Sequence, residues 1–98
     1  MTHFIVEYRE VGSRDARAAH RAAHIAYRKE LGTALPLAGS LLDLAGASVG
    51  SLVIIEAADR AEAERIALAD PFVEAKILDL LSVRPYRIAA IKLPPGGP

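Results

Sequence analysis

The chain has 98 residues, 52% of them hydrophobic and 24% charged, and its 12 Lys and Arg balance its 12 Asp and Glu. That size and composition give one globular domain and exclude a disordered chain, and the absence of a basic excess argues against nucleic acid as a partner. Cysteine is absent, which removes disulfides, thiolate metal sites and cysteine nucleophiles and fits a reducing, cytoplasmic setting.

The opening MTHFIVEYRE lacks the basic start and long apolar run of a secretory signal. No stretch approaches the roughly 18 apolar residues of a membrane span, so no membrane partner is expected. Residues 3–10 alternate as a strand, with Phe4, Val6 and Tyr8 on one side and Ile5 and Glu7 on the other. Gly12 and Ser13 break the run. Residues 15–31 are rich in Ala, Arg and Glu and predict a helix, capped by Ser13 or Asp15 and ended by Gly32. Residues 37–43 predict a second strand, with Pro36 at its start or on an edge. Residues 44–50, with Gly46 and Gly50, predict a turn.

Residues 51–57, SLVIIEA, form the clearest strand pattern, with three consecutive β-branched residues. Asp59 and Glu62 have capping-box spacing and open a helix to about Ala69. Asp70-Pro71 ends it, and Asp70 can cap a short helix started by Pro71. Residues 78–84 predict a fourth strand, interrupted at Pro85, with residues 86–93 continuing as an extended edge. The tail, residues 94–98, offers nothing to pack and is expected to be mobile beyond a single domain of residues 1–93.

The order β-α-β-β-α-β predicts an α+β, ferredoxin-like domain: an antiparallel sheet with two helices on one face. The alternative, an open α/β sheet, suits neither the length nor the absence of a G-x-G-x-x-G motif. Leu52, Val53, Ile54 and Ile55 are consecutive and apolar, so both faces of that strand call for burial. Two helices cover one face, and a second copy of the chain is the simplest cover for the other. The prediction is therefore a homodimer joined through its sheet faces; burial by the chain's own loops is the alternative.

Imidazole chemistry near neutral pH must use His3, His20 or His24. His20 and His24 lie one helical turn apart and could share a metal. Arg21 stands where zinc hydrolases carry a Glu, so no metal is expected. On a helical wheel Ala16, Ala19, Ala23 and Tyr27 face the sheet, with His20 beside them. Arg17, Arg21 and Arg28 form a basic stripe, and His24 sits at the border. His24 is thus either an ordinary boundary residue or a pocket base. Asp70 is either a cap or the partner that orients an imidazole. Arg21 and Arg28 are either a solvated stripe or a site for an anionic group. Tyr27 reads as packing with its hydroxyl at the rim. Ser40 and Ser51 lack a nucleophile-elbow context.

R-A-A-H-I-A-Y (residues 21–27) resembles the R-x-x-H-x-x-Y/F signature of the YCII-related family. G-S-L-V-I-I-E-A (50–57), the capped helix, A-D-P-F-V (69–73) and V-R-P-Y-R (83–87) resemble that family's second half in order and spacing. The resemblance covers residues 4–87; residues 45–49 and those from 88 onward carry no family mark. It implies a dimeric α+β barrel with a His and an Asp in the active site, at His24 and Asp70 here. Some relatives carry out dehydrochlorination or lactone chemistry. The resemblance thus leads to the expectation of a small cofactor-independent enzyme of isomerase, lyase or dehydrochlorinase type acting on a small metabolite. His24 and Asp70 would be catalytic, with Arg21, Tyr27, Gly39, Ser40, Pro71 and Phe72 contacting the substrate. The alternative is a non-catalytic binding or accessory module using the same cleft.

Overall fold

A computed structural model describes residues 1–92; the predicted tail at residues 94–98 lies outside them. The elements are β1 (Thr2–Glu10), α1 (Arg14–Glu30), a 3-10 turn (Gly32–Ala34), β2 (Leu37–Leu42), β3 (Ser48–Ala57), α2 (Arg60–Leu68), α3 (Pro71–Glu74) and β4 (Leu78–Tyr86). The four strands form one antiparallel sheet in the order β2-β3-β1-β4. This is the ferredoxin-like α+β arrangement that the element order predicts.

The alternation in β1 decides which face carries the helices. Phe4, Val6 and Tyr8 are buried and lie opposite Ile55, Val53 and Ser51 of β3. Ala63 and Ala67 of α2, Phe72 of α3, and Ile77, Leu78 and Val83 complete that core. Burying each large side chain of this set contributes about 1.5–3 kcal/mol. The other face carries Ile5, Leu52 and Ile54, with Glu7 and Glu56 beside them. Ile54 is buried and Leu52 half-buried, in keeping with a strand that is apolar on both sides.

Local chemistry sets the boundaries. Ser13 caps α1 by accepting from the Ala16 N–H at 3.1 Å, and Asp59 caps α2 by accepting from the Glu62 N–H at 2.8 Å. The Glu62 side chain reaches back to the Ala58 N–H at 3.0 Å. The predicted turn at residues 44–50 is shorter than expected, because β3 begins at Ser48. Gly50 belongs to the strand: a Cβ there would stand 2.3 Å from the Tyr8 carbonyl oxygen, so only glycine lets β3 lie this close to β1. Pro85 does not interrupt β4, which runs through it to Tyr86. β4 is an edge strand, where a missing N–H leaves no partner unsatisfied. Residues 87–92 carry no strand, so the extended edge predicted there is absent up to the last described residue.

Helix α1 departs most from the wheel. Ala19, His20 and Ala23 are exposed, whereas Arg17, His24, Tyr27 and Arg28 are half-buried. Among the described residues the helix buries no side chain completely. The reason is visible in its contacts, which are polar: the long Arg and Tyr side chains reach inward from the helix border to acceptors on other elements.

Candidate active site

His24 and Arg28 stand one turn apart on α1, so both reach one spot on the fold. That spot is Asp70, in the link between α2 and α3. Pro71 keeps Asp70 out of the helical region, with φ −60° and ψ 128°, and its side chain turns back to cap α3 by accepting from the Phe72 N–H at 2.9 Å. The residue is 2% exposed. Its Oδ1 lies 2.7 Å from His24 Nδ1, and its Oδ2 accepts from Arg28 Nε at 3.0 Å.

The network continues across the sheet. Arg28 Nη1 donates to Ser51 Oγ at 3.3 Å, and Ser51 donates to the Gly39 carbonyl at 3.1 Å. The Arg28 guanidinium lies 5.7 Å from the centre of the Tyr8 ring. Phe72 stacks on the His24 imidazole with ring centres 3.8 Å apart and planes inclined by 4°. Arg17 lies 5.1 Å from the Phe72 ring centre and pairs with Glu10, which also accepts from Ser48 Oγ at 3.3 Å.

Burial alone would push the Asp70 carboxyl up. The hydrogen bonds from His24 and the Phe72 N–H, with the charge of Arg28 and, when it is protonated, of His24, outweigh it and hold the carboxyl below its ordinary value. Asp70 is therefore an anion at neutral pH. An anionic acceptor at Nδ1 selects the imidazole tautomer with its hydrogen on that nitrogen, leaving Nε2 for a reacting proton. The two nearby phenols each donate to a backbone carbonyl. Tyr8 donates to the Ala67 carbonyl at 3.2 Å and Tyr27 to the Ile66 carbonyl at 2.7 Å. Burial pushes both hydroxyls up, and for Tyr27 the charges of Asp70 and Glu74 add to the effect.

Of the residues expected at a site, His24, Asp70 and Phe72 are in mutual contact. Pro71 is half-buried at the start of α3, and Gly39 joins through its carbonyl. Ser40 pairs with Ser51 across β2 and β3 but is exposed. Tyr27 anchors α1 to α2. Arg21 is exposed on the outer surface of α1, beside Ala22, Ile25 and Lys29. His20 is exposed, away from the Asp70 contact that His24 makes. Among the described residues no group of three or more His, Cys, Asp or Glu could hold a metal ion. The contacts of Arg28 and Ser51 around Asp70 go beyond what the sequence reading expects. The i, i+4 spacing of His24 and Arg28 is the signal available for Arg28; nothing in the sequence pairs Ser51 with it.

The family model of the YCII-related domain matches residues 1–87. Among solved structures, 5-chloro-2-hydroxyhydroquinone dehydrochlorinase (TftG) from Burkholderia phenoliruptrix, in complex with 2,5-dihydroxybenzoquinone, is similar with a TM-score of 0.65. Identity is 22%, and the match covers 97% of this chain and 99% of that one. No curated protein matches the chain.

Proposed function

The chain belongs to the YCII-related domain family, and we propose that it is a small cofactor-independent enzyme in which His24 and Asp70 perform general acid–base chemistry on a small metabolite able to carry negative charge. The observation that carries this is the 2.7 Å contact between His24 Nδ1 and a carboxylate that is 2% exposed. A buried anion on one imidazole nitrogen makes the other a better base and stabilises the imidazolium that forms. His24 Nε2 takes a proton from carbon or oxygen of the substrate. The electron pair left behind forms a new double bond, and a leaving group such as chloride departs with its own pair, or the proton returns elsewhere in an isomerisation. The similar dehydrochlorinase lends this chemistry its support.

The test is chloride release from 5-chloro-2-hydroxyhydroquinone, with 2,5-dihydroxybenzoquinone as a binding probe. A His24→Ala variant that still binds the probe is expected to lose about 100- to 10,000-fold in rate. A second reading has one observation in its favour: Asp70 engages both oxygens within the fold, capping α3 and anchoring α1, as a purely structural group would. On that reading the chain is a binding module, and a probe that binds without turnover would support it. A homodimer joined through the outer sheet faces completes the proposal, because Ile5, Leu52 and Ile54 lie together there. A cysteine-free chain suits the cytoplasm. No helix among the described residues is long and apolar enough to cross a membrane.

A further inference from the structure

We propose that Arg28 is a positioning residue for the His24–Asp70 pair, fixing the second carboxylate oxygen of Asp70 and cancelling its charge. The inference rests on the acid–base reading of that pair. Arg28 Nε binds Asp70 Oδ2 at 3.0 Å while His24 Nδ1 meets Oδ1 at 2.7 Å, so the carboxylate is gripped from both ends and cannot rotate without breaking one contact. The far end of the guanidinium is tied through Ser51 Oγ to the Gly39 carbonyl, which anchors the grip in β3 and β2 rather than in α1 alone. Arg28 Nη2 is buried with no hydrogen-bond partner among the described residues. Leaving a buried donor unmet is unfavourable, so packing alone does not account for a guanidinium here.

The charge arithmetic gives the arrangement its use. With Asp70 ionised and His24 neutral, the Asp70–Arg28 pair sums to no net charge. When His24 takes a proton, the cluster gains one positive charge at the moment the substrate gains one negative charge. Without Arg28 the same step would start from a net anion, which repels an acidic substrate and gives no net attraction to the anion formed. Arg28 therefore shifts stabilisation from the ground state to the charge-separated state, where it accelerates reaction. Arg28 uses a single Nε–H on Oδ2 rather than a two-pronged grip, so a lysine ammonium can supply the charge and one donor. The ionisable groups facing the carboxylate are His24 and Arg28 from α1, with Tyr8 from β1 and Tyr27 at greater reach.

The test compares wild type, Arg28→Met and Arg28→Lys by carbon NMR titration of the Asp70 carboxyl and nitrogen NMR of the His24 ring, in full-length protein without substrate. In Arg28→Met the Asp70 titration is expected to move up and the single Nδ1–H tautomer signature of His24 to be lost; Arg28→Lys, which keeps the charge without the tie to Ser51, restores the Asp70 titration in large part. Unchanged signals in Arg28→Met, or a folded Arg28→Lys whose Asp70 titration stays where Arg28→Met puts it, would overturn the proposal. If Arg28→Met does not fold, Ser51→Ala replaces it: it frees the far end of the guanidinium and is expected to broaden the His24 tautomer signature, while an unchanged signature counts against the proposal. Both signals are read without turnover, so an inactive wild-type protein would count against the acid–base reading and leave the test of Arg28 intact.

Discussion

Asp70 is the residue on which the site and part of the stability depend together. It is an anion 2% exposed to solvent, held by His24, Arg28 and the Phe72 N–H. Asp70→Ala removes one partner of a buried pair and is expected to cost about 3–5 kcal/mol, read from urea unfolding midpoints. The pH dependence has a definite sign. The Asp70 carboxyl titrates lower in the fold than its ordinary value of 3.8, so the unfolded chain binds its proton more readily. The stabilisation is fully present above 3.8 and disappears as pH falls through the lower folded value. Midpoints measured between about pH 6 and pH 2 should fall along that limb in wild type and stay flatter in Asp70→Asn. A second expectation concerns Lys76, which holds φ at 59° just after α3, where its N–H and that of Ile77 return to Val73 and Phe72. A left-handed position after a helix favours glycine, so Lys76→Gly should raise stability by about 0.5–1 kcal/mol in thermal melts.

At the scale of elements, α1 differs from the rest. The sheet and α2 share the buried apolar core, whereas α1 is held by Arg17 on Glu10, Tyr27 on the Ile66 carbonyl, and His24 and Arg28 on Asp70. Polar anchors contribute about 0.5–1.5 kcal/mol each, and up to about 3 where a charge takes part, while apolar burial fixes the sheet. Hydrogen exchange should therefore show α1 opening at lower free energy than β1 and β3, and Tyr27→Phe should widen that gap. The same contrast separates what is legible in the sequence from what is not. β3, the Asp59 cap and the Pro71 start are written in local propensity, and the two caps stand where expected, while β3 begins three residues earlier, at Ser48. The wheel for α1 places alanines inward because it weighs side chains by hydropathy. It has no knowledge of a buried carboxylate 42 residues beyond Arg28 that draws an arginine inward instead. The His24–Asp70 contact, 46 residues apart, is suggested only through family resemblance, since spacing along the chain carries no information about such a meeting.

For the whole molecule, the outer sheet face sets the expected assembly. Ile5 and Leu52, half-buried beside the buried Ile54, lie there across β1 and β3, and a domain this small gains much from covering them. Sedimentation should give a dimer at micromolar concentration. Ile5→Lys should give a folded monomer, since Ile5 is only half-buried in the single chain and a charge in a sheet-to-sheet contact has no partner to meet it; a wild-type monomer would count against the homodimer. The strand order has a separate bearing on how the molecule comes into being. β1 precedes every other element yet lies between β3 and β4, so each of its edges is completed only by strands that leave the ribosome much later. No growing chain that stops short of Leu78 can close its central strand, and Asp70, which latches α1, also emerges late. Pairings of such long sequence separation make loop closure the obstacle to folding. The native structure should therefore appear in one late step after synthesis, with β1 paired on its β3 edge alone and α1 unlatched until Asp70 and β4 arrive.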